Sequence, residues 1–273
     1  MPCSLLYREA TVIASFHAIT YRQRVFSPPR RLAQAVEGLR FWRPLNIGGD
    51  FAWFREHPTR RALYPRLRPD FHRWAFYAVW EDDAALDQFL ERSPISRAWR
   101  DGTAEAWHLR LKPLRARGPW KGMQLLCGAD TAAAPEGPIA CIVRADLTLR
   151  GTLAFWGSAA PGVLAHIPRD AELLAGIPLV DRPYTQPVSF SLWRDVGSFA
   201  AFAHRGDGHH DAITRVRKSQ ASLLDRVSSG RFLPYRSEGS WQGRNPLNEA
   251  AHRAPSDSRH SSAQTAKIGT PGG

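Results

Sequence analysis

Cysteine is scarce in this chain and unpatterned: Cys3, Cys127 and Cys141 are the three among 273 residues, an odd number with no C-x-x-C spacing. That excludes a disulfide framework and a cysteine-built metal centre, and fits a reducing compartment. A small buried side chain is the default role for Cys141. Long apolar runs are missing too. Nothing approaches the roughly 18 to 20 residues that span a bilayer as a helix, and the N-terminus shows no signal-peptide core, so a cytoplasmic location is expected. Strong catalytic signatures are absent as well: there is no phosphate loop, no G-x-S-x-G elbow, no H-E-x-x-H and no G-x-G-x-x-G after a strand. Nucleotide hydrolysis, serine-hydrolase chemistry, zinc proteolysis and dinucleotide binding therefore have no support.

Aromatic and basic residues, by contrast, are plentiful. Ten Trp and thirteen Phe suit both a packed core and a broad apolar cavity. With 37 Lys and Arg against 25 Asp and Glu, the formal charge is +12, which favours an acidic partner such as anionic lipid headgroups, an acidic redox protein or nucleic acid. No run of five basic residues occurs, so a merely solvated basic surface explains the charge equally well.

The chain also repeats itself. Phe76-Tyr77-Ala78-Val79-Trp80-Glu81-Asp82 returns as Ser189-Phe190-Ser191-Leu192-Trp193-Arg194-Asp195, each followed by apolar helix positions. Upstream, Phe41-Trp42 returns as Phe155-Trp156. Downstream, Gly118-Pro119-Trp120-Lys121-Gly122 returns as Gly239-Ser240-Trp241-Gln242-Gly243. Three landmarks in one order point to two similar units.

Strands are expected at residues 11–19, 72–80 and 105–111 of the first unit, with helices at 31–39, 84–91 and from Ser93-Pro94 to Trp99. Asp82-Asp83 supplies an N-cap. In the second unit strands are expected at 139–146, 173–179, 187–193 and 231–235, with helices starting near Leu153 and Ser198. The β-α-β-β-α-β alternation is the ferredoxin-like pattern. The fold class is therefore α+β, with tandem ferredoxin-like repeats forming a dimeric-α/β-barrel-type fold. The expected organisation is a first unit at 1–127, a linker at 128–138, a second unit at 139–246 and a disordered tail at 247–273, where large apolar residues almost vanish.

Strand alternation places Phe190 and Leu192 on one face of their strand and Ser189, Ser191 and Trp193 on the other. The first face is expected to meet the helices. The second, with Phe76, Ala78 and Trp80 as first-unit counterparts, is expected to line a space between the sheets, a substrate pocket for a long hydrophobic molecule. The polar cluster His204-Arg205-Gly206-Asp207-Gly208-His209-His210-Asp211, at the opening of what reads as the longest helix of the second unit, combines an iron-ligating imidazole with nearby carboxylates. On the residues alone, an ordinary turn and cap is the commoner reading of such a cluster.

Taken together, the Phe-Trp pairs, Val188-Ser189-Phe190-Ser191-Leu192-Trp193, Gly206-Asp207-Gly208-His209 and Glu238-Gly239-Ser240-Trp241-Gln242-Gly243 resemble the spheroidene monooxygenase family of acyclic-carotenoid 2-ketolases. The resemblance covers about residues 11–246. It implies an oxygenase that converts C2 of spheroidene to the ketone of spheroidenone with O2, a haem iron cofactor and reduced ferredoxin. It also implies a hydrophobic carotenoid substrate. His209 matches the family's Gly-Asp-x-His segment and stands ahead of His210 and His166 as haem-iron ligand. A membrane-dissolved substrate gives the basic surface a use at an anionic membrane, so peripheral association with the photosynthetic membrane is expected. Two other readings stay open: a cofactor-free oxygenase on the same barrel, and a non-enzymatic hydrophobic-ligand or RNA-binding module. Nucleic acid is not expected, because the aromatic-glycine strand motif of an RNA-recognition sheet is missing.

Overall fold

The computed structural model describes residues 12–26, 28, 36–48, 69–126, 136–155, 172–182, 185–204 and 224–252. In chain order these form β1 (Ile13–Tyr21), β2 (Leu39–Gly48), β3 (Pro69–Trp80), α1 (Asp83–Arg92), α2 (Pro94–Gly102), β4 (Thr103–Arg117), α3 (Lys121–Gln124), β5 (Ile139–Leu147), α4 (Leu149–Ala154), β6 (Leu173–Arg182), β7 (Gln186–Trp193), α5 (Val196–His204), β8 (Leu224–Gly239) and α6 (Pro246–His252). The helix boundaries have local causes. The Asp82 carboxylate accepts from the Ala85 amide at the start of α1, and the Ser93 hydroxyl accepts from the Ile95 amide at the start of α2, where Pro94 opens the helix.

The strands close a barrel in the order β1-β3-β2-β6-β7-β5-β8-β4, every neighbour antiparallel. Cut at its two seams, β4–β8 and β2–β6, the barrel falls into halves of identical order, β4-β1-β3-β2 and β8-β5-β7-β6. Each is a ferredoxin-like unit, so the tandem repeat and the barrel class expected from the sequence are both present. Equivalent strands meet antiparallel at each seam, so the pseudo-twofold axis runs across the barrel and not along it. The seams differ in length. Pairing of β4 with β8 runs from Trp107 opposite Gly239 to Arg117 opposite Ser229, whereas β2 and β6 pair only at Asn46 with Val180 and Ile47 with Leu179.

Trp80 sits opposite Ile13 and Trp193 opposite Ile139, so the two tryptophans are structural equivalents. The glycine-tryptophan landmark holds as well. Gly118 and Gly239 both end a strand with φ of 100° and 77°, and Trp120 and Trp241 then fold back onto the barrel core at opposite mouths. At Gly239 a Cβ would lie 2.1 Å from the Ala106 carbonyl oxygen, so the turn admits no side chain. The Phe-Trp landmark does not hold: Phe41 lies in β2, while Phe155 closes α4.

Three further expectations are corrected. Residues 39–48 form a strand where the sequence reads as a helix end followed by an irregular stretch; residues 31–35 of that helix lie outside the described residues. The chain stays regular past 246, because α6 forms and Leu247 packs on the core; residues 253–273 lie outside the described ones.

The third correction concerns the strand faces. Val188, Phe190 and Leu192 point into the barrel with Ala14, Phe16, Tyr77, Val79, Trp107 and Phe232. Phe16 and Phe190, one from each half, stack at 3.9 Å and 8°, and Trp107 meets both edge-on. Such contacts contribute about 0.5–1.5 kcal/mol per pair beyond the area they bury. Phe76 and Trp80, expected to line a pocket between the sheets, lie instead on the outer face against Leu86, Phe89 and Trp99 of α1 and α2. Trp193 likewise packs outward on Phe199 and Phe202 of α5. The barrel interior is a filled core.

Candidate functional site

The two outer faces differ sharply, and the duplication shows how. With Ile13 aligned on Ile139, the registers equate His17 with Val143, Phe76 with Ser189, Ala78 with Ser191, and Trp42 with Gly176. In the first unit Trp42, Phe76, Trp80, Phe89 and Trp99 interlock beneath α1 and α2, and all five are buried. In the second unit two large aromatics and an imidazole are replaced by glycine, serine and valine. Each lost aromatic removes roughly 150–250 Å² of burial-capable surface. What remains is a shallow floor of small side chains: Cys141, Ser191 and Gly176 in one row, and Val143, Ser189 and Pro178 in the next. Ser189, Ser191 and Gly176 are part-exposed, and Val143 is 40% exposed. Thus Ser189, Ser191 and Trp193 do share one surface, but it lies on the helix side of the second sheet.

Trp193 bounds this floor at one end, its indole N–H donating to Ser191 Oγ at 2.9 Å. Along the β8 side runs a cationic edge. Arg231 stands opposite Cys141 with its guanidinium 4.8 Å from the Phe199 ring, and Arg115 stands opposite Arg231. Burial pushes the Cys141 thiol up to about 12, partly offset by Arg231, so this cysteine stays a protonated part of the floor.

Two polar clusters lie elsewhere. At the short seam, Asp181 points into the barrel with a side chain 1% exposed and accepts from Arg43 at 2.6 Å and Arg144 at 3.2 Å; Arg144 also pairs with Asp146. In the first unit His17 and His108 are joined through their Nδ1 atoms at 2.8 Å, and His17 Nε2 meets Ser15 Oγ, which also accepts the Trp80 indole N–H. Burial first, and for His17 also the neighbouring His108 and Arg110, holds both imidazoles down, His108 at about 4. Both clusters are packed into structure and neither adjoins the floor.

Of the expected iron ligands, His209, His210 and His166 all lie outside the described residues. Their cluster begins at His204, which closes α5; residues 205–211 of it lie outside the described residues. Among the described residues no group of three metal-ligating side chains occurs. The sequence reading missed Gly176, Cys141, Val143 and Arg231. Aligning the units from Ile13 and Ile139, and not from Phe-Trp, would have exposed the loss of bulk at each of these rows.

Fold and site define a single-chain dimeric-α/β-barrel protein whose outer face is packed with aromatics in the first unit and, among the described residues, floored by small side chains in the second. Two solved aldoxime dehydratase structures share the fold. One aligns with TM-score 0.51 at 9% identity over 82% of this chain and 81% of that one. The other, a complex with butyraldoxime, aligns with TM-score 0.52 at 8% identity over 85% and 84%. No protein-family model matches. Sequence relatives are far nearer. Spheroidene monooxygenase of Rhodobacter capsulatus is 31% identical over 66% of this chain and 74% of its own length. The Rubrivivax gelatinosus protein of the same name is 31% identical over 65% and 66%. That of Cereibacter sphaeroides is 27% identical over 80% and 63%. The chain belongs to the spheroidene monooxygenase family, whose enzyme class is monooxygenase.

Proposed function

We propose that this chain is a carotenoid monooxygenase that oxidises C2 of a spheroidene-type acyclic carotenoid to the 2-ketone, using O2 and electrons from reduced ferredoxin. Family membership supports the class of reaction. The observation that carries the site is the outer face of the second unit, where the described residues form a floor of small side chains suited to a flat or extended molecule and the first unit is solidly packed.

The chemistry limits what the side chains can do. A methylene hydrogen beside a polyene is not acidic, so no carboxylate or imidazole removes it, and activated oxygen must come from a cofactor. Haem fits the floor: its flat apolar ring matches the small side chains of Cys141, Ser191 and Gly176, and its carboxylates match Arg231 and Arg115. Bound there, haem would supply oxygen activation, and an imidazole from His209, with His210 and His166 as alternatives, would complete it. The chain's own residues hold and orient. Trp193 fixes one end of the floor, Ser189 leaves room above it, and the helix-side apolar residues Phe199 and Phe202 exclude water.

The visible spectrum of the purified protein, with and without dithionite and carbon monoxide, tests the cofactor. Product mass after incubation with spheroidene, O2 and reduced ferredoxin tests the reaction. A Soret band is expected, with a first product heavier than the substrate by one oxygen atom, the alcohol, and a second carrying that oxygen less two hydrogens, the ketone. Colourless protein that still oxidises the carotenoid would move the reading to cofactor-free oxygenation.

A further inference from the structure

Exposed apolar side chains cluster at one end of the second unit among the described residues. Among the described residues five large hydrophobics are exposed, and three of them, Val143, Val227 and Leu149, lie toward the barrel mouth where β5 ends and β8 begins, at 40%, 47% and 85% exposure. Val227 stands beside the turn after β4, because a Cβ on Gly118 would meet its carbonyl oxygen at 2.4 Å. Leu149 opens α4 two residues past the end of β5. The same end carries exposed cations: Arg117, opposite Ser229 on the far side of β8 from Val143, then Lys121 just past that turn, and Arg150 beside Leu149. At the opposite mouth the cations are matched, Arg236 with Glu238 and Arg244 with Glu249, and Glu105 accepts from the amides of Gln242 and Gly243.

Apolar tips ringed by cations form the pattern that docks a protein onto an anionic lipid surface, the side chains entering the headgroup boundary while the charges meet phosphate. We propose that this end of the second unit, comprising Val227, Leu149, Val143, Arg117, Lys121 and Arg150, is a membrane-docking surface for anionic bilayers. Val143 belongs also to the floor of small side chains. The docked face is therefore continuous with the floor, and a bilayer-dissolved polyene passes from lipid to site along the β5–β7 rows without crossing water. This assignment rests on the carotenoid reading of that floor.

The test uses the full chain and sedimentation with phosphatidylcholine vesicles, plain or containing about one third phosphatidylglycerol. Each basic residue near an anionic surface raises partitioning roughly fivefold. Arg117→Gln/Lys121→Gln should therefore lower binding to the anionic vesicles by at least about tenfold. Val227→Ser/Leu149→Ser should weaken binding further at high salt, where the apolar contribution dominates. Arg92→Gln/Arg97→Gln removes the same charge from exposed positions on α1 and α2 and should bind like the parent. Circular dichroism confirms that each variant is folded.

Equal binding to neutral vesicles, or an equal loss in the α1–α2 control, overturns the proposal. So does a charge variant that keeps vesicle binding but loses ferredoxin-supported turnover, which would assign the surface to an acidic protein. Oxidation of detergent-dispersed carotenoid separates the two readings. A charge variant that loses vesicle binding and keeps this activity supports both. A parent chain that binds vesicles yet oxidises no carotenoid retains the docking surface and removes the proposed function.

Discussion

Replacing Asp181 with asparagine probes how the two halves are held together at their weak seam. β2 and β6 share only two register pairs, and beside them the Asp181 carboxylate, 1% exposed, binds Arg43 of the first unit and Arg144 of the second. Asparagine keeps the shape but removes the charge that two guanidinium groups face. Breaking a buried pair from one side costs about 3–5 kcal/mol. Arg144 keeps Asp146 and Arg43 is 29% exposed, so the lower end, about 3 kcal/mol, is expected here. For a chain of this size that is a fall in Tm of roughly 6–12 °C. Thermal melts followed by far-ultraviolet and near-ultraviolet circular dichroism read it directly, and the two signals should fall together. The paired replacement Arg43→Met/Asp181→Leu, which leaves no buried charge unanswered on that side, should recover much of the loss. A fall of under about 1 kcal/mol in the single variant would show that the ion cluster does not secure the seam.

Other consequences follow from the same geometry. Phe190→Ala removes the stacking partner of Phe16 across the halves and should cost about 3–5 kcal/mol in urea unfolding. Gly239→Ala forces a Cβ against the Ala106 carbonyl at φ of 77° and should destabilise by about 1–3 kcal/mol, more than Gly243→Ala, where the same φ class meets open space. The folded state lowers the His17 and His108 pKa values, His108 to about 4, so the unfolded chain binds more protons as pH falls below the ordinary value of 6.5. Stability contributed by this pair should be complete above that value and lost as pH falls below it, a slope that His108→Gln should flatten in pH-dependent urea midpoints.

Legibility in the sequence followed the physical contrast available. The run ending at Trp80 and the Asp82 cap were readable because β-branched and aromatic residues stop abruptly at a carboxylate that can serve free amides. β2 was not readable, since Pro44 and Gly48 interrupt its pattern and only pairing with β3 overrides them. The faces of β3 and β7 were inverted because both sides of these strands are covered, by the barrel core on one and helices on the other. Alternation then contrasts apolar with apolar and carries little direction. Ser189 and Ser191 look like cavity-facing hydroxyls in isolation. Only the register with Ile139 and Gly176 shows that they replace bulk beneath helices.

The central claim, that the chemistry occupies the floor of small side chains on the outer face of the second unit, is most directly tested by placing there the residue its twin carries. Ser189→Phe installs the counterpart of Phe76 on the floor, away from the barrel core and from the seam. Carotenoid oxidation by this variant, measured as product mass per turnover time beside an unchanged melting temperature, should fall by about a hundredfold or more. Turnover at the parent rate would contradict the account and place the reaction on another surface of the barrel.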